Sequence, residues 1–107
     1  MTVPASSIGS SQPPTGVAAR VQVDLWTSAF CAPCAAARRV VGDAGRLVPG
    51  LDVVERDAAA HPDEVERLGI RSTPTIIVRR DDGAEAFRSS GVPTRDQLFV
   101  ALTRALD

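Results

Sequence analysis

The chain has 107 residues and two cysteines, which stand together as Cys31-Ala32-Pro33-Cys34. A C-x-x-C pair can hold a metal, staple a loop or exchange disulfides. Zinc or an iron–sulfur cluster calls for about four thiolate or imidazole ligands. Besides the two cysteines the sequence offers one histidine, His61, so a metal site would need a second copy of the chain. Exchange chemistry asks for less. An apolar run precedes the pair and an alanine-rich run follows it, which puts Cys31 at the start of a helix. There, free amide hydrogens and the positive end of the helix dipole favour the thiolate over the thiol. Cys34 lies about a turn further in, close enough to close a small ring, with its own amide committed to the helix. Cys31 is therefore the expected nucleophile, and Cys34 the thiol that acts second.

Such a pair needs a strand before it and a helix behind it. Val21 to Thr27 is apolar on both alternating faces except at Asp24, the pattern of a central strand covered on both sides. Ser28-Ala29-Phe30 forms a short loop into the cysteines. From Ala35 to Val48 the apolar residues at 37, 40, 41, 44, 47 and 48 follow a helical period, with Pro33 suited to the first turn and Pro49-Gly50 as the stop. Gly42 and Gly45 suit close packing of this helix on the sheet. Leu51 to Asp57 reads as a second strand, parallel to the first through a right-handed crossover. His61-Pro62-Asp63-Glu64 opens a short helix with Val65 and Leu68 inward and Gly69 at its end. Thr73 to Val78 is a third strand headed by Pro74, turning at Asp82-Gly83 into an antiparallel strand from about Ala84 to Ser89. Thr94 and Gln97 make a capping box for the last helix, whose buried stripe is Leu98, Leu102, Ala105 and Leu106.

Composition narrows the context. The length suits one domain with its own core. The net charge is −1, and the twelve basic residues, all arginine, are scattered among thirteen acids. Neither nucleic acid nor an anionic membrane is an expected partner. No stretch approaches the ~18 apolar residues of a membrane span, and the start lacks a charged and apolar leader pattern, so the expected location is the cytoplasm. Reductants there keep ordinary thiols reduced, which favours a catalytic over a structural pair. Residues 1–19 are rich in Ser, Pro, Gly and Thr without periodicity and read as a flexible arm; residues 20–107 form the domain.

Several stretches together resemble the thioredoxin family: Val23-Asp24-Leu25-Trp26, Phe30-Cys31-Ala32-Pro33-Cys34, Asp57, Leu68-Gly69-Ile70-Arg71-Ser72-Thr73-Pro74-Thr75, and Gly91. They run in the family's order from about Val21 onward. The resemblance implies an α/β fold, a trimmed thioredoxin-like sheet of four strands, two parallel plus an antiparallel hairpin, with helices on both faces. It implies Cys31 as attacking and Cys34 as resolving thiol, Pro74 as a cis-proline against the dithiol, and the backbone of Thr73 pairing with a substrate chain. Trp26, Phe30, Ala32, Pro33 and Gly91 then belong to the substrate surface. The implied activity is reduction of protein disulfides by a monomer without a cofactor, with a thioredoxin-reductase-like electron donor.

The chain also departs from the family pattern. The extra strand and helix with which the family usually begins have no counterpart in residues 1–19, so Leu51 to Asp57 is expected at a sheet edge, with part of the arm available to cover it. The family's buried aspartate, which assists proton transfer at the resolving cysteine, matches Asp24 only if the strand end bulges. Aligned without a gap, Leu25 takes that place and water carries the proton. The chain has no lysine, which excludes a lysine-assisted relay. Two rival readings remain: a glutaredoxin-like, glutathione-dependent enzyme, and a thioredoxin-like binding module without turnover.

Overall fold

The computed structural model describes residues 21–106; the arm expected over residues 1–19 lies outside them. In chain order the elements are β1 (Val21–Thr27), α1 (Ala32–Leu47), β2 (Leu51–Asp57), a 3-10 turn (Ala58–Ala60), α2 (Pro62–Leu68), β3 (Thr75–Arg79), β4 (Glu85–Ser90) and α3 (Arg95–Leu106). Among the described residues the strands form one sheet in the order β2-β1-β3-β4. β1 runs parallel to β2, from Val21 opposite Leu51 to Thr27 opposite Asp57. It is antiparallel to β3, with Trp26 opposite Thr75, and β3 is antiparallel to β4. The mixed sheet is the one expected, with the parallel pair joined through α1 and β2 outermost among the described strands.

Alternation along β1 separates two cores. Val21, Val23 and Leu25 face one side, where they meet Ala37, Val41 and Ala44 of α1 and Leu98, Ala101, Leu102 and Ala105 of α3. Trp26 faces the other side, with Ile77, Ile70 and the partly buried Val65 and Leu68 of α2. Helices thus cover both faces. β1 is buried along almost its whole length, as its two-sided apolar sequence requires.

The helices differ from expectation in detail. α1 begins at Ala32, so the cysteine pair spans its N-cap and first turn. Leu47 and Leu106 belong to inward faces by period, yet they are 66% and 39% exposed, each being the last residue of its helix. Ala101 takes a further inward place on α3, outside the expected stripe. Gly45 does allow close approach: a Cβ there would stand 3.3 Å from Val53 Cγ2 on β2. β3 starts at Thr75, two residues later than expected, since Thr73 and the proline imide at 74 precede the ladder. The hairpin turns at Asp82-Gly83, where Ala84 N donates to Asp82 Oδ1 at 2.8 Å, and a register shift at Val78/Arg79 lets the turn fit.

The capping box at α3 forms in both directions, with Gln97 N donating to Thr94 Oγ1 at 3.0 Å and Thr94 N to Gln97 Oε1 at 2.9 Å. Thr94→Ala is expected to lower unfolding free energy by about 1 kcal/mol. Chemical denaturation of both proteins measures this as a lower midpoint at constant slope.

Candidate active site

The cysteines sit where the carboxyl end of β1 hands over to α1. Cys31 is the N-cap of α1, with φ −102° and ψ 98°, and no acidic residue occupies the first turn. Pro33 stands in that first turn, where its missing N–H costs no helical hydrogen bond. Cys34 N donates to Cys31 O at 3.1 Å, so the amide of Cys34 is used by the helix. The two residues are joined as a disulfide with Cα atoms 5.3 Å apart. Cys34 is fully buried, whereas Cys31 is partly exposed. An incoming molecule therefore reaches Cys31 first.

Register brings distant residues to this pair. Because Trp26 lies opposite Thr75, the exit from β1 lies beside the entry to β3. Ser28 Oγ and Thr73 Oγ1 are 2.6 Å apart, a hydrogen bond that ties the loop before the cysteines to the segment before Pro74. The Thr73–Pro74 bond is cis and Pro74 is fully buried. Pro74 O accepts from Gly91 N at 2.8 Å, which anchors the β4–α3 connection to the same place. Gly91 has φ +101°, a conformation that favours glycine. Cys31, Cys34, Thr73, Pro74 and Gly91 are thus gathered from separate parts of the chain.

Phe30 and Trp26 separate. Phe30 is completely exposed and has φ +59°, unusual for a bulky residue. Trp26 is 1% exposed and belongs to the α2-side core, with the His61 ring edge-on at 6.1 Å. His61 itself stands at the N-cap position of α2, without a side-chain capping hydrogen bond. Among the described residues no cluster of three or more potential metal ligands occurs.

Asp24 lies elsewhere. β1 pairs without a bulge on both sides, so strand alternation puts Asp24 on the α2 side with Trp26 and turns Leu25 toward α1. Asp24 is 2% exposed, and its carboxylate accepts from Arg79 Nε at 2.9 Å and from Gln22 Nε2 at 2.6 Å, with Arg56 Nε at 3.9 Å. The structure does not bring Asp24 to the cysteine pair; of the two alignments, the ungapped one describes this strand. On the α1 side of β2, opposite Leu25, stands Glu55. It accepts from Thr27 Oγ1 at 3.0 Å and from Arg38 Nε and Nη2 at 2.9 and 2.7 Å. The Arg38 hydrogen bond holds the Glu55 carboxyl below its ordinary value, against a smaller opposing effect of burial. Arg38 is half-exposed but clamped by this pairing. Nothing in the sequence marks Arg79, Glu55 or Ser28 as partners of residues so far along the chain.

A disulfide at the head of a helix, with one sulfur reachable and a cis-proline beside it on a mixed four-stranded sheet, defines the class of thioredoxin-fold dithiol proteins. No protein-family model matches the chain. It is 31% identical over 88 residues to thioredoxin from Methanocaldococcus jannaschii, covering 81% of this chain and 98% of that protein. It is 30% identical over 84 residues to thioredoxin from Chlamydia muridarum, covering 78% of this chain and 80% of that one. The solved structure of a mutant thioredoxin from Halobacterium salinarum superposes with a TM-score of 0.73 at 20% identity, over 81% of this chain and 75% of that one. The chain belongs to the thioredoxin family, a family of thiol–disulfide oxidoreductases.

The charged groups lead to two expected outcomes. Asp24→Ala leaves Arg79 without its carboxylate and is expected to cost about 3 kcal/mol of stability, without moving the pH profile of thiol exchange; denaturation and a rate–pH series measure the two parts. The Glu55 carboxyl titrates lower folded than unfolded, so its contribution to stability is complete above the ordinary glutamate value of 4.5. It is lost as pH falls through the folded value, because there both states bind the proton. Glu55→Gln should therefore flatten the fall of thermal stability below that pH.

Proposed function

We propose that this chain reduces protein disulfides through the Cys31/Cys34 dithiol. The observation that carries the reading is the unequal exposure of the two sulfurs at the head of α1: Cys34 is fully buried and Cys31 is partly exposed. In the reduced protein, Cys31 thiolate attacks one sulfur of a substrate disulfide. That S–S bond breaks, a Cys31–substrate disulfide forms, and the first substrate thiolate leaves and takes a proton from water. Cys34, deprotonated in turn, attacks the Cys31 sulfur. The second substrate thiol is released, and two electrons have passed from the dithiol to the substrate. Burial disfavours the Cys34 thiolate, which suits a thiol that acts only after the mixed disulfide has formed.

Several features support a polypeptide substrate. Thr73 offers backbone next to the disulfide, so an extended chain can dock by main-chain pairing that tolerates many sequences. Phe30, Ala32 and Pro33 at the helix head and Gly91 at the next connection border this place, with Pro74 and Trp26 as its buried support. Asp24 has no part in this route; with Leu25 turned toward α1, water carries the proton for Cys34. Ala32-Pro33 carries no charge to stabilise the reduced thiolate further, which favours a reductant over an oxidant. A separate thioredoxin-reductase-like dithiol donor restores Cys31 and Cys34, and the chain acts as a monomer in a compartment that keeps thiols reduced.

Reduction of insulin by the purified dithiol, followed by turbidity, tests the reading. Cys31→Ser should fall to the rate seen without protein. Cys34→Ser should accumulate a covalent complex that mass spectrometry resolves and excess reductant releases. Equal residual activity in the two variants would refute the division of roles.

A further inference from the structure

Two grooves meet at Ser28 beside the cysteine pair. The first, about 590 Å3, is lined by Ser28, Ala29, Phe30, Cys31, Ala32 and Arg38. The second, about 250 Å3, runs past Ser28, Arg71, Ser72 and Thr73 over an apolar floor. In each, the one charged residue in the lining is an arginine, and no carboxylate lines either groove. The first turn of α1 holds no acid and presents the positive end of the helix dipole to the same region.

The two guanidinium groups are held differently. Arg38 donates from Nε and Nη2 to Glu55, and Glu55 is itself fixed by the hydroxyl of Thr27, which is 4% exposed. This clamp fixes the plane of the guanidinium and leaves Nη1 outside it. Arg71 is exposed and has no hydrogen-bond or ion-pair partner among the described residues. One arginine is pre-oriented and the other adaptable: Arg38 lines the groove that holds Cys31, Arg71 the groove that holds Thr73, and the two grooves share Ser28. Arginine is suited to this use because its planar fork matches a carboxylate and keeps its charge at all physiological pH values.

Resting on the disulfide-reduction reading above, we infer that Arg38 and Arg71 select the substrate class: polypeptide disulfides whose reacting cysteine has acidic residues close to it on either side. A chain laid along Thr73 with its disulfide over Cys31 lies across both grooves, since Thr73 lines one and Cys31 the other. Carboxylates there speed encounter and steady the attacked sulfur over Cys31, whereas lysines there meet like charge.

The test compares three peptide disulfides of the same length, with glutamate, serine or lysine flanking the cysteine, reduced by the dithiol protein at low salt. The readout is the ratio of second-order rate constants between peptides, so a change common to all three cancels. The glutamate peptide is expected to react roughly tenfold faster than the lysine peptide, in the range of two exposed charge contacts. Added salt should compress that ratio toward one. Arg38→Ala and Arg71→Ala should each remove part of it, and the double variant all of it. Arg71→Ala alters a residue with no partner among the described residues, so it gives a result even where loss of the Glu55 clamp impairs folding. Equal rates for the glutamate and lysine peptides, or a ratio that survives the double variant, would overturn the inference while leaving disulfide reduction standing. Failure to reduce any of the three peptides or insulin would overturn disulfide reduction itself, and the selection with it.

Discussion

Antiparallel pairing between β1 and β3 is the constraint from which the site follows. The last residues of β1 and the first of β3 are neighbours because Trp26 lies opposite Thr75. The cysteines leave β1 through a short loop, and the cis-proline enters β3 directly, so one register positions both. The remaining contacts secure this placement: the Ser28–Thr73 hydrogen bond joins the two segments, and Gly91 N closes on Pro74 O. A one-residue slip of β1 would turn its side chains to the opposite faces. The apolar side chains on both sides of the strand oppose such a slip, since Val23 and Leu25 fill one core and Trp26 the other.

The same alternation sorts the charges. A carboxylate inside a sheet must be paired or protonated. Asp24 meets this on the α2 side through Arg79, the diagonal neighbour of its partner Ile77 on β3, with Arg56 of β2 beyond. On the α1 side Glu55 is answered by Arg38 and Thr27. With arginine as the sole strongly basic residue, both of these acids are met by a forked donor rather than a point charge, and the reactive face retains arginines in its grooves. The acid that the family pattern would put near the resolving thiol has become part of the fold's support on the other face.

Elements whose signals are local were legible. The strand from Val21 to Thr27 carries its two-sided burial in its own residues, Pro33 and Pro62 mark helix starts, and Thr94 with Gln97 announces a cap that forms as written. Periodicity misleads where it alone assigns burial. Leu47 and Leu106 keep the spacing of their stripes but end their helices and stay exposed. The start of β3 is expected too early because β propensity does not register that a proline cannot donate to a ladder. No local signal marks Arg38 as clamped, because its partner is 17 residues away on another element.

The sequence by itself determined the chemistry available: two thiols at helical spacing, uncharged residues between them, a proline able to adopt the cis form, and no lysine. These are properties of residue types and of nearest-neighbour order, which survive in any conformation. Tertiary structure alone decided which groups surround the thiols. Whether β1 bulges, and therefore whether Asp24 or Leu25 faces α1, depends on hydrogen-bond register with two other strands, and no local signal encodes it. The burial of Cys34 beside an accessible Cys31, and the two arginines in the grooves that meet at Ser28, arise in the same way, from the packing of α1 and the β3 entry against one strand.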